Sequence, residues 1–119
     1  MALQEKARKL HAGKLTEGRN KGDINELIAN HTNGVTLRGA DILRDRKRNS
    51  DYVVFICEEE PDKFYFGGSV VTNFVSELIA TCESKEAFDA EIKTDGLLVA
   101  FEQKRSPKSG NVYVSVKAL

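Results

Sequence analysis

The chain has no tryptophan, only two prolines and two cysteines, and no net charge, and it contains no long apolar run. Because a membrane-spanning helix needs about 20 predominantly apolar residues in a row, we expect none in this chain. The N-terminus also lacks the apolar stretch of a secretion signal. We therefore expect a cytoplasmic protein in which Cys57 and Cys82 are reduced thiols and not a disulfide.

The balance of 18 basic and 18 acidic side chains excludes one class of function. A histone-like protein that coats DNA by bulk charge needs a large positive excess. The charge is nevertheless unevenly distributed, because basic residues are frequent in the first 21 positions and acidic residues in the turn at 58–62. A basic terminal segment of this kind is more often a solvated tail than a nucleic-acid-binding arm.

The length of 119 residues suits one folded domain, which we place at residues 34–119. Residues 1–33 read as a helical and flexible N-terminal extension, in which Asp23 can cap a short helix. Asn33-Gly34 then marks a turn. The apolar patterns that follow predict strands, one main helix opened by Ser69, a further helical stretch opened by Ser84, and two last strands. The predicted strands cover residues 35–44, 52–57, 63–66, 97–103 and 112–117.

This strand–strand–strand–helix–strand–strand order is that of a five-stranded Greek-key barrel of the oligonucleotide-binding (OB) kind. We therefore predict a β-rich α+β fold, an OB-like barrel with a helical N-terminal extension. The alternation of the first strand breaks at Gly39-Ala40, which indicates a bulge of the kind that lets a first strand curl. Val112, Val114 and Val116 are expected to face inward. Three phenylalanines are assigned to the core: Phe55, Phe74 and Phe101.

Two predicted hairpin loops are rich in positive charge. In OB barrels the loops joining strands one and two and strands four and five flank the ligand groove. A single basic loop would read as an ordinary solvated turn, but two at one end of the barrel would suit a phosphate backbone. The predicted phosphate contacts are Arg44, Arg46, Lys47, Arg48, Lys104, Arg105 and Lys108.

Binding of single strands also needs aromatic faces on which unstacked bases can lie. Tyrosine tolerates a half-exposed position better than phenylalanine does, so Tyr52, Tyr65 and Tyr113 are the candidates. The alternative for the third strand is that Tyr65 only covers the sheet, with Phe64 and Phe66 in the core.

The residues that could bind a metal ion, hold a phosphate or act in catalysis are not spaced as such sites require. His11 and His31 have no partner at metal-ligand spacing, and Asp41, Asp45 and Asp51 have no spacing that would hold two metal ions. Gly67-Gly68-Ser69 lacks the lysine of a phosphate-binding loop. We therefore predict no catalytic residue, no metal site and no cofactor.

Several runs resemble small proteins carried by phages and mobile elements of low-GC bacteria. They are 51–55, the Lys-Phe-Tyr-Phe-Gly-Gly-Ser run at 63–69, the helix at 70–78 and the segment 108–114. At the level of the fold, residues 35–117 are similar to single-stranded-DNA-binding barrels. The resemblance implies a role in phage or mobile-element replication or recombination. Bacterial proteins of this type usually end in an acidic tail that recruits partners, whereas this chain ends Val116-Lys117-Ala118-Leu119.

The sequence thus predicts a non-catalytic module that binds single-stranded DNA or RNA. The alternative is a protein–protein interaction module of a phage or mobile element, which the balanced net charge favours. A homo-oligomer or another protein partner remains open in both interpretations.

Overall fold

The structure, a computed structural model, describes residues 15–119. His11 and most of the predicted basic N-terminal segment lie outside the described residues. The described part is an α+β fold rich in sheet, with six strands and three helices. In chain order these are β1 (Asn20–Lys21), α1 (Ile24–Asn30), β2 (Val35–Asp45), β3 (Ser50–Cys57), β4 (Lys63–Gly67), α2 (Ser69–Thr81), α3 (Lys85–Asp95), β5 (Leu97–Arg105) and β6 (Val112–Ala118).

The six strands form one open sheet in the order β1-β4-β3-β2-β5-β6. The short strand β1 runs parallel to β4, and the other pairs are antiparallel. Along residues 15–119 no pairing joins β4 to β6, so the sheet is not a closed five-stranded barrel. A groove of about 510 Å³ lies on this open side, between the start of α2 and the start of β6.

The expected irregularity in the first long strand is confirmed. The pairing of β2 with β3 shifts register between Leu37 and Gly39. A Cβ atom at Gly39 would lie 2.8 Å from the side chain of Leu15 and 3.2 Å from that of Ile56. A side chain at this position would require the side chains of Leu15 and Ile56 to move, so glycine favours the close approach of other chain segments at this bend.

The main core lies on one face of the sheet, under the three helices. Phe55 from β3 and Tyr65 from β4 are buried there, and their rings stack with centroids 5.5 Å apart. Leu27 of α1 belongs to the same core, so part of the predicted N-terminal extension is built into the domain. Phe55 is in the core as predicted, while Phe74 and Phe101 are only partly buried against it. Cys57 and Cys82 are free thiols, as expected.

The helix starts follow local sequence signals in two cases out of three. Asp23 accepts a hydrogen bond from Asn25 N at 2.8 Å, and Ser84 accepts one from Ala87 N at 3.0 Å. These side chains satisfy backbone N–H groups that have no partner within the helix. The prediction of Ser69 as a cap is wrong: Gly68 holds that position without a side-chain hydrogen bond, and Ser69 is the first helical residue.

A buried ion pair fixes α3 to β2. Asp41 is fully buried, and its Oδ1 atom lies 3.6 Å from Lys85 Nζ at the start of α3. The same ammonium group donates to Ala40 O at 3.3 Å and to the carboxylate of Asp89. The Asp41 carboxylate also accepts the N–H of Ile42 at 2.8 Å. Asp41 is therefore a structural anchor of the β2–β3 hairpin.

Candidate nucleic-acid interface

Of the two long hairpins, β5–β6 carries the larger uncompensated positive charge. Its turn is closed by hydrogen bonds from Ser106 N to Asn111 O and from Gly110 N to Ser106 O, both at 2.8 Å. Gly110 has φ +72°, a conformation that glycine adopts at little cost. Three exposed cations lie at or beside this turn: Lys104, Arg105 and Lys108.

These three cations have no acidic partner within residues 15–119. The Arg105 guanidinium donates to Gly110 O at 2.8 Å, which holds it against the turn without neutralising it. No ion pair in the described residues includes Lys104, Arg105 or Lys108. Because residues 104–111 contain no acidic side chain, this turn keeps a formal charge of three. An exposed, uncompensated positive turn can neutralise phosphates.

The register of the hairpin places an aromatic ring beside this charge. Lys104 is directly opposite Tyr113, so their side chains share one face of the sheet. Tyr113 is 38% exposed, enough to offer part of its ring to a ligand. Lys117 lies on the same face opposite Ala100, and Glu102 is the acidic side chain there.

The β2–β3 turn has more cations, but they are partly compensated. Arg44 Nη1 lies 3.2 Å from Asp51 Oδ1, and Arg48 Nε lies 3.9 Å from Asp45 Oδ2. Asp45 also accepts the backbone N–H groups of Lys47 at 3.0 Å and Arg48 at 3.3 Å. Its carboxylate thus shapes the turn while it offsets positive charge. Residues 44–51 hold four cations and two carboxylates, a formal excess of two.

The strand pairing does not bring the two basic turns together. Val35–Leu37 of β2 pair with Leu97–Val99 of β5 in antiparallel register. From this shared segment β2 continues to Asp45 in one direction, and β5 continues to Arg105 in the other. The two hairpins extend away from each other along the strands, which gives no support to a single cationic groove between them.

The three predicted stacking residues differ in exposure. Tyr65 is wrong as a base-stacking residue, because it is 2% exposed and packs inside the core. Burial raises the pKa of its phenol to about 12. Tyr52 is half-buried, with its ring edge-on to Phe66 at 5.6 Å. Tyr113 is the most accessible of the three.

The opposite face of β3 and β4 carries aromatic residues that the sequence interpretation placed in the core. Phe64 and Phe66 lie on this outer face in a second cluster with Val54 and Leu15. The ammonium group of Lys21 lies 5.4 Å from the ring centre of Phe66. The alternation along the strand predicts that Tyr65 lies on the opposite face of the sheet from Phe64 and Phe66. Tyr65 lies on the inner face, where its ring stacks on Phe55. Val112 also departs from its prediction, being 55% exposed instead of inward.

The aspartates near the β2–β3 turn have structural partners. Asp41 binds Lys85, while Asp45 and Asp51 bind arginines of the turn. Within the described residues, no group of three or more histidine, cysteine or carboxylate side chains could hold a metal ion. The helices among residues 15–119 also include none long and apolar enough to cross a membrane.

No protein-family model, curated protein or solved structure matches this chain. The resemblance to phage and mobile-element proteins therefore stays a prediction.

Proposed function

We propose that this chain is a non-catalytic module that binds single-stranded nucleic acid, with the β5–β6 hairpin as its main contact to phosphates. The observation that carries the proposal is the cluster of Lys104, Arg105 and Lys108, which have no acidic partner among residues 15–119, next to the half-exposed ring of Tyr113. Cations that follow the backbone and an aromatic ring that accepts a base are the two requirements for single-strand binding.

The strand pairing supports this proposal at the level of the fold. The pairs β2–β3, β3–β4, β2–β5 and β5–β6 are those of an OB barrel that has been opened between its third and fifth strands. OB folds are described as partly open barrels that bind oligonucleotides on the face of strands two and three and on the neighbouring loops. In this chain that face carries Tyr52, Phe64 and Phe66, partly covered by Leu15. We infer a secondary, less accessible stacking surface there.

The proposal is tested by titrating a fluorescent oligo-dT with the full chain at several salt concentrations. One triple variant replaces Lys104, Arg105 and Lys108 by alanine. Its matched control replaces Arg46, Lys47 and Arg48 by alanine, so that both proteins lose three positive charges. Each phosphate contact to a single strand contributes about 0.7 to the slope of log K against log salt. The first variant should therefore lose about two units of slope and about a hundredfold in affinity near 0.1 M salt.

The control variant should bind with a smaller loss, because the β2–β3 turn is partly compensated by Asp45 and Asp51. Absence of oligo-dT binding at low salt would refute the function. An equal loss in both variants would contradict the assignment to the β5–β6 hairpin. Parallel titrations with RNA and duplex DNA would establish which nucleic acid the module prefers.

A further inference from the structure

The hydrogen-bond pattern of the β5–β6 hairpin shows which backbone groups of β6 are directed outward. Ser106 N donates to Asn111 O at 2.8 Å and Leu119 N donates to Leu98 O at 3.0 Å, and both bonds continue the register of the hairpin. Hydrogen-bonded and non-bonded positions alternate along an antiparallel pair. The odd-numbered residues of β6 therefore bond to β5. The N–H and C=O groups of the even-numbered residues, Val112 to Ala118, are directed away from it.

These outward groups form an open sheet edge. Strand β6 is last in the strand order, and within residues 15–119 no other segment forms a hydrogen bond with it on that side. Natural proteins usually protect such edges with lysine, proline, bulges or very short strands. Strand β6 has seven residues, no proline and no register shift against β5, and its one charged residue, Lys117, lies near its end. The opposite edge is protected, because the two-residue strand β1 covers β4.

We propose that β6 pairs antiparallel with β6 of a second copy of this chain, about a two-fold axis at Ser115. Ser115 is the central residue of Val112–Ala118, so this register alone pairs the whole strand. It places Val114 opposite Val116 and Val112 opposite Ala118 of the second copy. All of these residues have outward backbone groups, so they form the hydrogen-bonded pairs of the new ladder.

The side chains of β6 favour its own copy as the partner. On the outer face, the proposed register places Tyr113 opposite Lys117 of the second copy, at both ends of the ladder. A lysine can lie against an aromatic ring, and no like charges face each other. Val112 is 55% exposed in one copy. The proposed register places it opposite Ala118 of the second copy on the same face, so this exposed apolar side chain is partly covered at each end of the ladder.

The first test measures the mass of the full chain, free of nucleic acid, by sedimentation equilibrium from about 1 µM to about 1 mM. The chain should become dimeric as its concentration rises. Val114→Pro removes an outward N–H without removing a bond to β5, and proline is tolerated at such edge positions. This variant should remain monomeric, while the control Val114→Thr keeps the N–H and should still dimerise. A wild-type chain that stays monomeric at the highest concentration would overturn the proposal.

The second test examines the register and does not depend on how well the proline variant folds. Tyr113→Lys places a lysine opposite Lys117 of the second copy at two points, and should weaken the dimer roughly tenfold. Adding Lys117→Glu restores opposite charges across the two-fold axis and should recover the affinity. Within one chain, positions 113 and 117 are four residues apart on one strand, too far for a direct pair. The lysine at 113 also lies opposite Lys104 of its own chain, but this repulsion is present in both variants, so the recovery with Lys117→Glu reports on the contact between copies. A dimer that responds to neither substitution would show that another surface is used.

Discussion

The two long hairpins of this protein use similar residues in different ways. In the β2–β3 hairpin, Arg44 and Arg48 are paired with carboxylates, and strand β2 is anchored by the buried ion pair of Asp41 and Lys85. In the β5–β6 hairpin, the cations have no acidic partner in the described chain, and the last strand has an open edge. A basic run in the sequence therefore indicates available positive charge only when neighbouring acidic residues do not neutralise it.

The largest effect should come from breaking the anchor of the first hairpin. Lys85→Met leaves the fully buried carboxylate of Asp41 without its nearby ammonium group, and uncompensated buried charge is costly. We expect a loss of about 3 kcal/mol in the free energy of unfolding. Lys104→Met, a lysine on the exposed hairpin, should change it by less than about 0.5 kcal/mol. Urea denaturation of both variants would measure the difference, and equal stabilities would contradict the contrast between the hairpins.

A second difference is between two tyrosines, the buried Tyr65 of the core and the partly exposed Tyr113 of the β5–β6 hairpin. Burial raises the pKa of Tyr65 to about 12 in the folded state, above its ordinary value of 10.0. The protonated phenol is thus favoured by folding, so its contribution is fully present below about pH 10 and is lost as the pH approaches about 12. Two pKa units correspond to about 2–3 kcal/mol.

Tyr65→Phe should remove this part of the alkaline loss of stability, while Tyr113→Phe should leave it unchanged. Burial also raises the pKa of the Cys57 thiol, but that contribution is common to the wild type and both variants. Denaturant midpoints measured between pH 9 and pH 12 would provide the comparison. Parallel curves for the wild type and Tyr65→Phe would show that the phenol does not titrate with folding.

The sequence predicted the order of the elements after residue 33 and the bulge of the first long strand, because both depend on local patterns, but not the short strand β1. Alternation, turn residues and the glycine at position 39 carry that information. The open side of the sheet was not predictable in this way. The segments α1 and β1 lie against β4 and β5 through contacts distant in sequence, such as Gln103 with Asn25 and Gly22 N with Phe64 O, which local patterns do not predict.

The candidate site was predictable in its residue types but less so in its geometry. The cations Lys104, Arg105 and Lys108 are exposed, as expected beside a turn marked by proline and glycine, although the first two belong to the end of β5. The face occupied by Tyr65 could not be read from Phe64-Tyr65-Phe66, where both faces are aromatic. The sequence also did not show that Asp51 offsets the charge of Arg44, because the two residues approach each other only when β2 and β3 pair.

The smallest effect is expected from a substitution that reduces the difference in available positive charge between the two hairpins. Asp51→Asn removes the carboxylate that lies 3.2 Å from Arg44 while it keeps a side chain of the same shape. Exposed ion pairs of this kind are worth about 0.2–1 kcal/mol, so stability should hardly change. The released guanidinium should add up to about 0.7 to the salt slope for oligo-dT. The expected gain in affinity at low salt is a few-fold, measured in the same fluorescence titration.

The matched variant Glu102→Gln removes one negative charge from the face of the second hairpin, where Lys104 and Tyr113 already lie. If only Glu102→Gln tightens binding, the first hairpin does not approach the strand at all. If both tighten it equally, nucleic acid responds to net charge and not to the position of either hairpin.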